Sequence, residues 1–163
     1  MRIKSCVAAL VVLSAAVPAA AQDKAPRIAD PKIASLLQEV DLKYEVDEDK
    51  DYKIVFDYSD DKRSQVVFVD SDVETVDGTN IRSVFAPAAN IKKTPLSKKQ
   101  LDTLLVEAGK MRWGQWEVMG DYLYYTIKMM EPFSAKQLDS ALRFVSEIAD
   151  NKEIELSGKK DDF

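Results

Sequence analysis

The amino-acid sequence predicts an α+β fold in which a helix, an antiparallel sheet meander, a second helix, a β-hairpin and a third helix follow one another. Ser97 and Ser134 are each followed three residues later by a glutamine, Gln100 and Gln137, which is the capping-box signature of a helix start. Gly120-Asp121 separates two apolar runs and suits a tight hairpin turn. Between residues 52 and 58 the apolar period is two, which is typical of a strand.

The N-terminal residues predict export. Arg2 and Lys4 precede an apolar run over residues 7–17, which is followed by Pro18 and three alanines. This order is that of a secretory signal peptide that is cleaved after Ala21. The run is shorter than the roughly 20 residues that a membrane-spanning helix needs. We therefore expect a signal peptide over residues 1–21 and a periplasmic mature protein.

The mature chain is predicted to form one domain over residues 30–156, after a flexible lead over residues 22–29 and before a disordered tail over residues 157–163. Asp30 followed by Pro31 supplies an N-cap and the proline that is favoured in a first helical turn. The first helix is expected to run to about Asp41. Its predicted buried stripe consists of Ile33, Leu36, Leu37 and Val40.

Four stretches are predicted as strands before the second helix. Residues 44–47 are a candidate for a short strand, residues 52–58 alternate, and residues 65–70 are apolar on both faces, which favours a central position in the sheet. Asp77-Gly78 indicates a turn, and residues 81–86 are the best candidate for the next strand. Pro87 is expected to end that strand because proline cannot donate a hydrogen bond to a sheet ladder.

Apolar spacing predicts which faces of the two later helices are buried. Gly109 is a candidate C-cap for the second helix, and the chain is expected to become polar from Asn151 onward. The predicted buried stripes are Leu101, Leu104, Leu105 and Ala108 in the second helix, and Leu138, Ala141, Leu142, Val145, Ile148 and Ala149 in the third.

The hairpin between these helices is rich in aromatic residues. Trp116 and Tyr125 fall on the face that is predicted to meet the core. Trp113, Tyr122 and Tyr124 are the candidates for a partner-binding surface, because tryptophan and tyrosine are enriched at protein interfaces.

Composition excludes several kinds of chemistry. The chain has no histidine, and its one cysteine, Cys6, lies in the predicted signal peptide. The mature protein therefore lacks the ligands of a usual zinc site and the residues of Ser-His-Asp or Cys-His catalysis. The net charge is −5 for the whole chain and −7 without Arg2 and Lys4. Such a charge predicts repulsion of nucleic acid and of anionic lipid surfaces.

Two acidic segments are candidate sites. Residues 47–51 place aspartates at alternate positions, as a calcium loop does, but Tyr52 and Tyr58 stand where that loop needs glycine and glutamate. We therefore predict a solvated acidic turn and no metal ion. Residues 70–74 carry carboxylates that could serve a glycoside hydrolase if two of them faced each other across a cleft. A charged strand edge is the simpler interpretation.

Three stretches resemble the YbjN-type family of bacterial sensory-transduction-regulator-like proteins, whose fold is similar to that of type III secretion chaperones. They are the strand residues 63–69, the sequence Gly114-Gln115-Trp116-Glu117 at the hairpin, and residues 138–150, which end in Ala149-Asp150. The resemblance implies the same order of elements and a protein, often a dimer, that holds other polypeptides. It implies no catalytic residues. The predicted export signal departs from cytosolic secretion chaperones.

The functional prediction is an exported, non-catalytic binding or chaperone-like protein that holds a polypeptide, or a second copy of itself, through an aromatic sheet face. No cofactor, no nucleic-acid partner and no stable membrane insertion are expected after signal cleavage. The alternative is a carboxylate-dependent hydrolase that acts on cell-envelope material.

Overall fold

A computed structural model of the protein describes residues 26–58, 62–158 and 161–163. In these residues the helices are α1 (Pro31–Glu39), α2 (Lys98–Ala108) and α3 (Ala135–Ser157). The strands are β1 (Glu45–Val46), β2 (Tyr52–Tyr58), β3 (Arg63–Val69), β4 (Glu74–Val76), β5 (Thr79–Asn90), β6 (Gln115–Met119) and β7 (Tyr122–Met130). The predicted α+β class and the predicted order of elements are confirmed. The predicted signal peptide lies outside the described residues.

All strand pairs of the sheet are antiparallel, in the order β1-β2-β3-β5-β7-β6, and β4 pairs only with the start of β5. The ladder between β3 and β5 is short, with Phe68 opposite Phe85 and Val69 opposite Val84. The ladder between β5 and β7 runs the length of β7. This long ladder joins the N-terminal strands to the hairpin of β6 and β7.

The three helices lie on one face of the sheet. Tyr58 of β2 shares a 2.7 Å hydrogen bond with Ser146 of α3, and Lys152 of α3 donates to Glu107 of α2. Alternate strand residues point towards these helices and form the core with them. The buried core includes Ile33, Leu37, Ile54, Val67, Val69, Val84, Ala86, Leu123, Tyr125, Ile127, Leu138, Ala141, Leu142, Val145 and Ala149.

The predicted helix and turn signals have the expected geometry. Ser97 and Ser134 each accept a hydrogen bond from the third helical amide, while the glutamine side chain accepts one from the serine amide. Gly109 is the C-cap of α2. Asp77 and Gly78, both with positive φ, form the turn between β4 and β5.

Pro87 does not end β5, which corrects the prediction. The strand continues to Asn90 with a register shift between Pro87 and Ala89. The paired residues of β3 do not reach this part of β5, and instead Gln65 of β3 donates a side-chain hydrogen bond of 2.9 Å to the Pro87 carbonyl. Proline is compatible with a strand at such an irregular point.

The predicted buried stripe of α2 is wrong for two of its four residues, Leu101 and Leu105. Leu104 is 6 % exposed, whereas Leu105 is 74 % exposed and Leu101 is also exposed. The physical reason is the position of α2 at the end of the sheet, where it meets β6 and no element of the described residues covers its outer side.

The third helix is longer than the composition indicated. It continues through Asn151 to Ser157 and ends at Gly158 in the left-handed conformation. Lys152 and Glu153 are buried there because each has a partner of opposite charge on another element. Beyond α3, the amide of Asp162 donates to Glu153 at 2.6 Å.

Candidate functional site

The helix-free face of the sheet carries a row of aromatic side chains. We call Phe68, Phe85, Tyr124 and Tyr122 the aromatic row. Phe68 stacks on Phe85 with ring centroids 5.4 Å apart, and Phe85 meets Tyr124 edge-to-face at 5.5 Å. The ring of Tyr122 lies 6.0 Å from that of Tyr124. All four residues are partly exposed.

Strand pairing builds this row. Phe68 and Phe85 are directly opposite residues of β3 and β5, so their side chains stand on the same face. On β7, Tyr122 and Tyr124 alternate with the core residues Leu123 and Tyr125 and therefore point away from the helices.

The apolar surface extends beyond the row towards the first strands. Val55 of β2, which is exposed, stands opposite the partly exposed Val66 of β3 on the same face. The helix-free face therefore offers aromatic and aliphatic side chains across four strands.

The structure separates the three sequence-predicted binding residues. Tyr122 and Tyr124 are neighbours in the aromatic row. Trp113 lies on the other side of the sheet, where its ring stacks on Phe144 of α3 with centroids 5.3 Å apart. Trp113 also lines an open cavity of about 520 Å³ between the end of β7 and the start of α3.

The two predicted core aromatics of the hairpin occupy the helix side of the sheet. Tyr125 is fully buried, and Trp116 is partly buried against it with ring centroids 5.0 Å apart. The indole nitrogen of Trp116 donates to Glu107 of α2 at 3.2 Å. This contact ties α2 to the hairpin.

The aromatic row is uncharged. Burial raises the pKa of the Tyr124 hydroxyl, and the neighbouring Tyr122 adds to the increase, so Tyr124 stays neutral at physiological pH. Charges lie at the margin, where Lys128 of β7 is 3.7 Å from Glu117 of β6. The row can thus contact apolar groups through its rings and donate hydrogen bonds through its tyrosine hydroxyls.

Sequence reasoning missed Phe68 and Phe85 as surface residues. Phe68 is out of phase with the core residues Val67 and Val69, and that alternation was the available signal. Phe85 lies in the candidate strand over residues 81–86, whose inward and outward faces were not assigned from the sequence. The pairing of β3 with β5, which brings the two rings together, cannot be read from local spacing.

The carboxylates of the two acidic segments converge on one arginine. Arg27 contacts Asp51 at 2.9 Å, Asp70 at 2.7 Å and Asp72 at 2.8 Å. Asp51 also accepts the amide of Ser71 at 2.9 Å. Burial raises the pKa of the Asp51 carboxyl to about 6. Asp51 is 8 % exposed, which corrects the prediction of a solvated turn for this residue, whereas Glu48 and Asp49 are exposed.

This convergence has the features of an ion-pair junction. Asp51 and Asp70 both contact the same guanidinium nitrogen of Arg27, which holds the lead of the chain against two loops. Among the described residues, no group of three or more acidic, cysteine or histidine side chains is arranged to hold a metal ion.

Two buried arginines connect the helices to the sheet. Arg82 of β5 contacts Asp30 and Glu131 through its side chain and donates to the backbone carbonyls of Asp70 and Ser71. Burial alone would raise the pKa of Glu131, but hydrogen bonding to Arg82 and its charge lower it below the usual value.

Arg63 of β3 makes the second connection. It binds Asp150 at 2.9 Å and Glu153 at 2.8 Å on α3. Burial raises the pKa of Glu153, and the charge of Arg63 opposes that increase. These networks position α3 against the sheet.

The sequence was compared with known proteins. No family model matches the chain, and no curated protein sequence matches it. The resemblance to YbjN-type proteins therefore stays a prediction. In the described part of the chain, no helix combines the length and apolar character that crossing a bilayer requires.

Proposed function

We propose that the protein is an exported, non-catalytic, chaperone-like protein that holds a polypeptide partner through the aromatic row. The observation that carries this proposal is the set of four partly exposed aromatic rings on the face of the sheet that no described helix covers. Large apolar patches on monomers mark interaction sites more often than isolated apolar residues do.

The chemistry of the row fits a polypeptide. Its rings offer rigid apolar area at low cost in conformational entropy, and the hydroxyls of Tyr122 and Tyr124 can bond a partner's backbone. Its lack of charge favours apolar segments of many sequences over one charged motif.

A non-catalytic role agrees with the composition and with the acidic cluster. Histidine is absent, the one cysteine lies in the predicted signal peptide, and the converging carboxylates are bound to Arg27. Since the periplasm lacks ATP, holding a partner is the role that such a protein can perform there without an energy source.

The test is binding of a labelled, reduced and carboxymethylated polypeptide, which cannot fold, measured by fluorescence anisotropy. The double variant Tyr122→Thr/Tyr124→Thr should bind at least about tenfold more weakly, which corresponds to about 1.4 kcal/mol. Threonine is well tolerated in strands, and melting curves would show that the variant is folded.

Trp113→Thr is the matched control, because Trp113 is an exposed aromatic residue on the other side of the sheet. It should leave binding unchanged. Unchanged binding in the double variant, or an equal loss in the control, would refute the assignment to the row. Self-association that disappears only in the double variant would assign the row to a second copy instead.

A further inference from the structure

A short stretch beyond α3 lies against the end of the aromatic row. We call residues 161–163 the tail segment. The ring of Phe163 meets that of Tyr122 edge-to-face, with centroids 6.0 Å apart, and Phe163 is partly buried. The chain therefore places one of its own aromatic side chains against the surface that is proposed to hold a partner.

A gap in the sheet leaves room for the tail segment. β3 and β5 pair at two positions only, so the first half of β3 and the end of β5 stand apart. The amide of Asp70 donates to Ser83 of β5 at 3.0 Å. Because every second residue of a strand directs its polar backbone groups to the same side, the amide of Ser64 also points towards β5, into the gap. The carboxylate of Asp161 accepts that amide at 3.3 Å.

The tail segment is held by few contacts, and the strongest of them does not involve the ring. The amide of Asp162 donates to the buried carboxylate of Glu153 at 2.6 Å, which is a charge-assisted hydrogen bond. Asp161 reaches the guanidinium of Arg63 only at 4.0 Å, and that cation already binds two other carboxylates at 2.9 and 2.8 Å. The ring of Phe163 can therefore leave the aromatic row while the amide of Asp162 stays bound.

Space for a partner's side chain lies beside the ring. Phe163 borders a cavity of about 240 Å³ between the end of β5, the start of α2 and the end of α3. Ala88, Leu96 and Leu156 supply apolar parts of its wall. A partner residue that replaces Phe163 thus gains the place of the ring together with this cavity.

We propose that Phe163 is an intramolecular competitor for the aromatic row. A partner polypeptide takes its place on Tyr122, and the ring moves away from the sheet. This inference rests on the proposed function of the row and adds a regulation to it. The bond between Asp162 and Glu153 keeps the displaced ring nearby, so its effective concentration stays high. Segments that bring a large apolar side chain to Tyr122 displace the ring, and segments without one do not.

The first test repeats the polypeptide-binding measurement with Phe163→Ser. An edge-to-face aromatic pair shifts an equilibrium by about two- to tenfold, so this variant should bind the carboxymethylated polypeptide about two- to tenfold more tightly than the wild type. In the background of Tyr122→Thr/Tyr124→Thr the same change should have no effect, because the surface for which the ring competes is absent. Tighter binding only with an intact row would assign the competition to the row.

Two control variants match this change. Val76→Ser removes an exposed apolar side chain from β4, which pairs with the opposite end of β5. Asp162→Asn removes a charge next to Phe163 and keeps the amide that binds Glu153. Both should bind the polypeptide like the wild type, and melting curves would show that all variants are folded.

Fluorine NMR follows the ring directly. The chain has six phenylalanines, and each can be replaced by 4-fluorophenylalanine during expression. The signal that is missing from Phe163→Ser belongs to Phe163. Addition of the carboxymethylated polypeptide should move this signal to the position of a solvent-exposed ring.

The possible outcomes separate this inference from the proposed function. Weaker binding by Phe163→Ser would make the ring a part of the partner-binding surface and would overturn the competition. Equal binding, or a Phe163 signal that stays in place while the polypeptide binds, would also overturn it and would leave the proposed function of the row intact. No binding by either the wild type or Phe163→Ser would refute the proposed function, and the competition with it.

Discussion

The two adjacent leucines of α2 provide a direct test of how this helix is attached. Leu104 is 6 % exposed and Leu105 is 74 % exposed, although both belong to the same predicted apolar stripe. Leu104→Ala and Leu105→Ala remove the same atoms from neighbouring positions. Any difference between the two variants therefore reports burial and not composition.

The structure gives an expected cost for each change. Truncation of a buried leucine costs about 2–5 kcal/mol, and we expect about 2–3 kcal/mol for Leu104 because the exposed side of α2 allows the helix to settle. About a quarter of Leu105 is buried, so its truncation loses about 0.5 kcal/mol of transfer free energy. The higher helix propensity of alanine offsets part of that loss, which leaves a change near zero.

Urea unfolding monitored by circular dichroism measures both values, and hydrogen exchange of the α2 amides shows where stability is lost. Leu104→Ala should increase exchange in α2 before the amides of β5 and α3 are affected, because α2 contacts mainly β6. If the two variants lost equal stability, or if Leu105→Ala cost more than about 1.5 kcal/mol, α2 would be packed differently from the arrangement described above.

Three further predictions concern the backbone and the buried charges. Gly114→Ala should lower the free energy of unfolding in urea by more than about 3 kcal/mol, because φ is +99° and a Cβ would lie 2.6 Å from a methyl group of Ile127. The control Gly78→Ala, at φ +77° in open space, should cost about 1 kcal/mol. Equal costs would contradict the close approach at Gly114. Arg82→Gln should cost about 3–5 kcal/mol in the same assay, since it removes a buried cation that binds the partly buried carboxylates of Asp30 and Glu131 and two backbone carbonyls. A cost below about 1 kcal/mol would show that these ion pairs are dispensable. Asp51 has its pKa raised from 3.8 to about 6, so the folded state binds its proton more tightly than the unfolded state, and this group lowers stability as pH rises from about 4 to about 6. Asp51→Asn should lack that dependence. Over this interval its free energy of unfolding should rise relative to that of the wild type by roughly 1–2 kcal/mol, after the lost contact with Arg27 is allowed for. Parallel melting profiles of the two proteins from pH 4 to pH 7 would refute the assignment.

Local chemistry explains why so much of the fold could be predicted from the sequence. A cap is formed by residues three positions apart, so Ser97 and Ser134 specify their helix starts without help from the rest of the chain. The turn at Asp77-Gly78 and the alternation of β2 are equally local. The same information placed Tyr122 and Tyr124 on the face of β7 opposite to the core.

Features that depend on distant partners could not be predicted in this way. Pro87 lies within a strand because β3 no longer pairs with β5 at that point. Leu101 and Leu105 are exposed because α2 lies at the edge of the sheet, against β6, where no other described element packs on its outer side. The burial of Arg63 depends on acidic groups of α3 that are about 90 residues away in sequence. Neither spacing nor composition encodes which elements become neighbours.

The long ladder between β5 and β7 sets a condition on how the chain can fold. β5 ends at Asn90 and β7 begins at Tyr122, so β5 has an open edge until the hairpin has been synthesised. The side chains of Val84 and Ala86 also stay exposed until α3 has been synthesised and packs against them. The N-terminal half is therefore an incomplete folding unit, and its completion depends on the last 40 or so residues. The connector over residues 91–97 links the two halves and packs only Ile91 and Leu96 against the core. A chain cleaved within this connector would carry β5 on one fragment and β7 on the other. The two fragments should reassemble into the intact sheet through the ladder between these strands.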